Sequence, residues 1–269
     1  ILAFALPIFL ANLLQLTYSL VDTRIVGSFL GEDTLAAVGA TTTLSNLMIG
    51  FLMGLSNGFA IITAQKFGAK DEQGVKKSFA MSLKLGCVIA LAITVLCLLF
   101  LQPILRFLNV SEALRPIATS YIFIIIAGLL ATFLYDACAA ALRALGDTIT
   151  PLIILLISVC LNIVGDLFFV VGIKVGVRGA AIATVLAQAL SVILCFFIIR
   201  KRGFAFPFSR KQVRIHGKNL GRMLKISFPI ALQDGLVNIS FLAIGAIVNS
   251  LGILMFSVTF FRGELLAGI

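Results

Sequence analysis

The chain contains 269 residues, of which 61% are hydrophobic and 12% are charged, with a formal net charge of +10. Soluble domains are about half apolar and about a quarter charged, so one compact core does not account for this composition, whereas a lipid-facing surface does. The positive charge does not indicate nucleic-acid binding, because Lys and Arg concentrate in short segments between long apolar runs, as in the loops of membrane proteins.

Seven apolar segments are each long enough to cross a bilayer as a helix, which takes about 20 residues. In chain order they are 2–25, 38–64, 78–101, 117–141, 151–173, 177–199 and 223–250. They are too long for strands and show no two-residue alternation. The sequence therefore predicts an all-α polytopic membrane helical bundle.

The basic residues between the spans predict the orientation of the chain. The segments after the second, fourth and sixth spans, counted together with the adjoining span ends, carry fourteen Lys and Arg, against five in the alternate segments counted the same way. Loops rich in Lys and Arg stay in the cytoplasm, so we expect a cytoplasmic N-terminus. The hydrophilic stretch 201–221 is predicted to be a cytoplasmic linker.

A weak internal repeat divides the chain at this linker. The run "LAFALPIFLANLL" (2–14) resembles "LKISFPIALQDGL" (224–236), with a shared Pro at position 7 and position 229. Six spans separate the copies, and an even number gives both the same direction, as in the parallel repeats of some transporters. We therefore predict a six-helix N-terminal lobe over 1–200 and the incomplete start of a second, parallel-repeat lobe over 222–269.

Four carboxylates fall within the predicted spans: Asp22, Asp136, Asp166 and Asp234. A charge in mid-membrane costs about 2.5–3.5 kcal/mol on insertion scales, so such a group faces a wet cavity, pairs with another group or carries a proton. Each is a candidate site. For Asp136 we expect a structural pairing with Arg143, and Asp234 is left without a predicted role.

Asp166 is the most central of these carboxylates. Ser158, Asn162 and Asp166 are spaced by four residues and share one helix face, on which Asn162 can bond a neighbour of the carboxylate or an ion beside it. The alternative is a structural hydrogen bond between helices.

Polar residues also line the first and sixth spans. Asn12, Gln15, Ser19 and Asp22 form one stripe on the first helix, which predicts that this face points into the bundle or a water-filled cleft. The alternative for Asp22 is a pairing at the membrane interface, for example with Arg24. In the sixth span Thr184 and Gln188 share a face, although a Thr there often bonds its own helix.

Enzyme motifs are absent from the sequence. It contains no phosphate-binding glycine loop, no nucleophile elbow and no zinc-protease motif. The single histidine, His216, lies in a basic segment, and the five cysteines lie in apolar runs without paired spacing. We therefore expect a protein that is not an enzyme and uses neither disulfides nor cysteine-bound metal.

The run "LLQLTYSLVDTRIVGSFLGEDTLAAVGATTTLSNLMIGFLMGLSNGFAIITAQKFGAKD", residues 13–71, resembles the start of the multidrug and toxic compound extrusion (MATE) transporters. Its Val-Asp and Val-Gly pairs, its "LAAVG" helix start and its "AQ..GA.D" loop match the family pattern. The runs "ALRALGDTITPL", "LNIVGDLFFV" and "GVRGAAIATVLAQ" are similar to the later helices of the same lobe. The resemblance covers residues 1 to about 252.

The resemblance implies twelve helices in two lobes around a central cavity, and export of cationic, amphiphilic compounds driven by inward H+ or Na+. The coupling cation site it implies, including a possible Na+ site, consists of Asp22, Asn162, Asp166 and Thr184. Asn12, Gln15, Ser19 and Gln188 are predicted to line the substrate cavity. We expect small cationic or aromatic substrates, surrounding lipids, no organic cofactor, a monomer at full length, and a location in the prokaryotic inner membrane.

The chain departs from the family pattern after Gly252, where a short charged tail stands in place of the expected eighth helix. We therefore expect it to be a partial transporter that does not transport alone. Two alternatives stay open at this point. One is a flippase for lipid-linked oligosaccharides from the same superfamily, whose cavities tend to be cationic. The other is a membrane scaffold or subunit that does not transport.

Overall fold

Long apolar runs form helices here because, in lipid, a helix satisfies all of its backbone polar groups within one segment. The computed structural model describes residues 2–108, 110–201 and 221–240, and all regular structure within these residues is helical. The helices are α1 (Leu2–Leu30), α2 (Glu32–Gly68), α3 (Glu72–Leu99), α4 (Leu101–Phe107), α5 (Arg115–Ala127), α6 (Leu129–Ala144), α7 (Ile149–Asp166), a π-helical segment (Leu167–Gly172) and α8 (Val177–Lys201). Residues 221–240 form a further helix, α9.

Five helices among the described residues are by themselves long and apolar enough to cross a membrane, and a bent pair, α5 with α6, makes six. The outer surface of the bundle is apolar. Large hydrophobic side chains such as Leu16, Leu20, Ile193 and Phe197 are each more than 60% exposed, which is typical of a surface that faces lipid. The prediction of an all-α membrane bundle is confirmed.

The predicted fourth span, 117–141, is not one continuous helix. It divides at Gly128 into α5 and α6, which meet at an angle of 44°. A Cβ on Gly128 would lie 2.4 Å from Cγ2 of Val185, so the break lies at a point where a side chain of α8 closely approaches the backbone. Apolar composition alone does not reveal such a bend, because both halves of the span are equally hydrophobic.

The main core lies where α2, α3, α5, α6 and α8 meet, and its fully buried members include Leu52, Ile122, Ile126 and Phe133. Gly86 of α3 faces the ring of Phe133 so closely that no side chain would fit there without moving it. This core holds α5, α6 and α8 in fixed positions, and α7 packs on the outside of α8.

Helix α9 packs against a glycine stripe on α2. The stripe consists of Gly50, Gly54 and Gly58, and a Cβ on Gly58 would lie 2.4 Å from the Cα of Ser227. Leu55, Phe59, Met223 and Ala231 form a small buried cluster along the same seam. Most of the predicted linker 201–221, the end of the predicted span 223–250, and the tail after Gly252 lie outside the described residues.

Candidate functional site

The end of α1 is fixed against α7, the π-helical segment and α8. Val26 of α1 is buried with Val170 and Ala180 in a small apolar cluster. Asp22 lies one helical turn before Val26 and therefore on the same side of α1. Packing of this cluster thus brings the Asp22 side chain to the face of α7 that carries Asp166.

Small residues let α7 and α8 approach closely beside this point. A Cβ on Gly165 would lie 3.0 Å from the Cβ of Ala183, and one on Gly179 would lie 2.9 Å from the Cβ of Phe169. Asn162, buried on α7 beside Asp166, therefore meets Thr184 of α8. The π-helical segment begins directly after Asp166, and single π turns are frequent at functional sites.

The Asn162 amide connects Asp166 to Thr184. In the orientation that satisfies both of its polar atoms, Nδ2 donates to Oδ2 of Asp166 at 2.9 Å. Its Oδ1 accepts from the backbone N–H of Thr184 at 3.1 Å and lies 3.2 Å from the Thr184 hydroxyl. That hydroxyl also lies 3.1 Å from the carbonyl oxygen of Ala180, so its single proton serves one of the two acceptors at a time.

The carboxyl groups of Asp22 and Asp166 lie within hydrogen-bonding reach of each other. Asp166 is fully buried, and Oδ1 of each carboxyl group is buried without a hydrogen-bond partner among the described residues. Buried polar atoms in native proteins nearly always have a partner, so these two oxygens are candidates to receive a cation or a proton.

Two tyrosines complete the surroundings of this pair. The hydroxyl of Tyr18 on α1 lies 3.5 Å from the Thr184 hydroxyl, and Tyr121 on α5 interacts electrostatically with both carboxyl groups. Neither tyrosine was predicted from the sequence as a residue of the site. Tyr18 precedes Asp22 by one helical turn and was detectable from that spacing. Tyr121 gave no comparable signal, since it lies alone in an apolar segment.

The donor set of this site fits a hard cation or a proton. Two carboxylates, an amide and a hydroxyl offer oxygen atoms, which are the ligands that hard cations prefer. Na+ bound here would be held by Asp22, Asp166, Thr184 and, after a rotation of its amide, Asn162. A proton would instead be shared by the two carboxyl groups in an O–H···O hydrogen bond.

The structure separates the residues predicted to line the substrate cavity into two sets. Asn12, Gln15 and Ser19 are exposed along α1. Gln188 lies half-buried inside the lobe, where its Oε1 accepts a hydrogen bond from the hydroxyl of Thr132 on α6.

Two further expectations from the sequence also have an outcome in the structure. Asp136 and Arg143 form no direct ion pair within the described part of the chain, so the expected pairing is wrong as a direct contact. Arg143 Nη2 instead donates to Oδ1 of Asn57 at 3.4 Å, and its charge acts on Asp136 only from a distance. Ser158 faces α8, where its hydroxyl lies 3.5 Å from the carbonyl oxygen of Ala187, so it supports helix packing rather than the acidic pair.

A bundle of long apolar helices around a buried acidic pair defines a multi-pass membrane protein of the transporter class. A family model described as MatE matches residues 7–168. The chain belongs to this family, the multidrug and toxic compound extrusion family, whose members are transporters rather than enzymes.

Named relatives and a solved structure agree with this membership. The chain is 29% identical to the probable multidrug resistance protein YpnP of Bacillus subtilis, with coverage of 93% of this chain and 56% of the relative. It is also 29% identical to the probable multidrug resistance protein YoeA of the same organism, covering 93% and 55%. A crystal structure of MATE in complex with MaD3S superposes with a TM-score of 0.79 at 25% identity, over 86% of this chain and 52% of that chain. The chain thus spans about half the length of the relatives it matches.

Proposed function

We propose that the open reading frame containing this sequence encodes a secondary active multidrug efflux antiporter, which exports cationic amphiphilic compounds in exchange for H+ or Na+ by alternating access. The observation that carries this proposal is the buried Asp22–Asp166 pair with its two orphaned oxygens. The names of the relatives support export of drugs as the broader activity.

Coupling arises because the pair joins two helices. With both carboxyl groups ionised and no cation between them, like charges repel at short range in a poorly solvated site. Entry of one cation or proton removes this repulsion and draws α1 toward α7 and α8. The change in packing of α1 then alters the contact between the two lobes, and the substrate cavity opens to the other side of the membrane.

The Asn162 amide suits either coupling cation, depending on which way it is turned. With Nδ2 toward Asp166 it donates a hydrogen bond to the carboxyl group, which fits a proton shared by the acidic pair. With the amide turned over, Nδ2 lies 3.2 Å from the Thr184 hydroxyl and the amide oxygen faces Asp166, where it could serve as a ligand to Na+.

The substrate path that we propose runs along the exposed polar stripe of Asn12, Gln15 and Ser19 on α1. An acidic site beside apolar walls attracts cationic aromatic compounds. The same acidic character argues against a flippase for anionic lipid headgroups. We further propose a cytoplasmic N-terminus, a bacterial inner-membrane location and a monomeric state.

Efflux of a fluorescent cation from cells or vesicles carrying the full open reading frame tests this function. We expect Asp22→Asn and Asp166→Asn each to abolish efflux driven by a pH or Na+ gradient, because each removes half of the acidic pair. Asp33→Asn, at an exposed position in the first turn of α2, is the matched control and should retain efflux. Gradient-driven efflux by Asp166→Asn at the wild-type rate would overturn the proposal.

A further inference from the structure

A second buried carboxyl group lies inside the lobe, on α6, apart from the acidic pair. Oδ2 of Asp136 is buried and has no hydrogen-bond partner among the described residues. A buried carboxylate that lacks both a partner and a counter-charge in contact is strongly unfavourable, whereas the neutral acid is not. This oxygen therefore needs either a proton or access to water.

A row of polar side chains on α8 and α6 extends from the acidic pair toward Asp136. Gln188 lies one helical turn beyond Thr184, and its Oε1 accepts a hydrogen bond from the hydroxyl of Thr132. Thr132 precedes Asp136 by one turn on α6 and is buried in the lobe. The spacing thus aligns Thr184 with Gln188 and Thr132 with Asp136, and the Thr132–Gln188 hydrogen bond joins the two helices into one polar track.

The same track continues toward the end of the bundle at which α2 and α6 finish. Arg143 lies two turns beyond Asp136 on α6, and its guanidinium bonds the amide of Asn57 on α2. This end is predicted to be cytoplasmic. A row of polar groups inside a lobe that is otherwise closely packed and apolar is costly in a membrane protein, and such rows mark ion and proton paths.

The titratable groups that act near Asp136 are few in the described part of the chain. Arg143 is the one charged group that interacts with it electrostatically, and Tyr135 neighbours it on α6. Cys195 on α8 interacts electrostatically with Tyr135 and Cys138, and Cys87 of α3 does so with Cys138. Asn57 of α2, which accepts from Arg143, is neutral. Among the described residues, no second carboxylate is therefore placed to share a proton with Asp136.

We propose that Asp136 is a second protonation site of this lobe, on a polar track that leads from the Asp22–Asp166 pair toward the cytoplasmic end of the bundle. In the described conformation the carboxyl group is neutral. When water enters the track, the O–H bond at Oδ2 breaks and the proton passes to water as hydronium. The reverse step restores the O–H bond and leaves water. The role of the track in coupling rests on the proposed function, but the protonation of Asp136 does not.

Infrared titration of the reconstituted full open reading frame tests the site. A protonated, buried carboxylic acid gives a C=O stretching band that disappears when the group ionises. We expect the double variant Asp22→Asn/Asp166→Asn to retain one such pH-dependent band, and the triple variant that adds Asp136→Asn to lose it. Adding Asp33→Asn instead serves as the matched control and should leave the band in place.

The outcomes separate this proposal from the function proposed above. If the triple variant retains the band of the double variant, Asp136 is not the protonated group and the inference is overturned, whatever the transport result. If a variant carrying Asp136→Asn fails to fold, as judged by its melting curve, Asp136→Glu replaces it. A shifted band frequency then supports the site, and an unchanged band overturns it. Loss of efflux in Asp166→Asn bears on the efflux proposal alone.

Discussion

Asp22 and Asp166 illustrate how single residues determine what this lobe can do. Each carboxyl group alone, when ionised, would destabilise an apolar membrane helix. Together they form the site at which we propose that one positive charge binds, because two carboxylates close together in a buried site repel each other unless a cation or a proton lies between them. Asn162 and Thr184 hold one member of the pair in place through fixed hydrogen bonds.

Two substitutions of Thr184, one without and one with a hydroxyl, test this arrangement. We expect Thr184→Val to weaken cation binding by about 1–2 kcal/mol, roughly ten-fold, because it removes the hydroxyl that faces Asn162 and Tyr18. Thr184→Ser keeps the hydroxyl and should remain close to wild type. The measurement is the H+ or Na+ concentration that gives half-maximal efflux. Equal half-maximal concentrations for the Val and Ser variants would show that the Thr184 hydroxyl does not contribute to cation binding.

A pH-dependent helix cap lies at the start of α3. Oδ1 of Asp71 accepts a hydrogen bond from the backbone N–H of Gly74 at 2.8 Å. This bond, together with the side-chain bond from Lys66, lowers the pKa of Asp71 below its ordinary value. The cap is therefore complete above the ordinary carboxyl pKa and is lost as pH falls through the lowered pKa of the folded state.

Amide exchange at Gly74 measures this cap. Relative to Asp71→Asn, whose side chain caps a helix without titrating, wild-type protection at Gly74 should fall as the solution becomes acidic. Asp71→Ala should lack the protection at every pH. Parallel pH profiles for the wild type and Asp71→Asn would show that the carboxylate does not cap the helix.

Among the elements, the contact between α2 and α9 depends on glycine. Its three glycines lie on the face of α2 that meets α9, where the space that a side chain would need is occupied by the α9 backbone at Gly54 and Gly58 and by the Asn238 side chain at Gly50. Small-residue stripes of this kind bring membrane helices into close contact. The contact joins α2 to α9, which the sequence predicts to be the first helix of a second repeat.

Substitution of one glycine tests how tight this contact is. We expect Gly58→Ala to destabilise the fold by about 1–3 kcal/mol, because its Cβ would clash with the backbone of Ser227. Gly39→Ala on the same helix, with nothing within 4 Å of its Cβ, should be neutral or slightly stabilising. Thermal unfolding in detergent compares the two variants. A Gly58→Ala protein with the same melting temperature as the wild type would mean that α9 does not pack on this stripe.

At the scale of the whole molecule, the helices alternate in direction, and the basic loops predict which side of the membrane each end faces. With Cys160 changed to Ser, a cysteine at Lys77 should react with a membrane-impermeant maleimide only after cells are opened. A cysteine at Glu112, in the loop before α5, should react in intact cells. The reverse labelling pattern would show that the N-terminus faces the outside.

Much of this architecture could be predicted from the order of apolar and polar residues. The positions of the spans follow from the length of hydrophobic runs, and the four residues of the candidate cation site lie on helix faces that spacing and family resemblance both indicate. The bend at Gly128 could not be predicted, because it depends on the approach of Val185 from a distant helix. The place of Tyr121 beside the acidic pair could not be predicted for the same reason.

The sequence by itself determined that lipid surrounds this protein, roughly where its spans lie and which carboxylates are candidates for a site, since these depend on composition and local spacing. Only the tertiary structure decided which carboxylates meet. Asp22 and Asp166 come together through the cluster of Val26, Val170 and Ala180 and the close packing of α7 on α8, whereas Asp136 is left without the partner that spacing suggested. Contacts between residues far apart in the chain depend on how helices pack, and no local pattern specifies that packing.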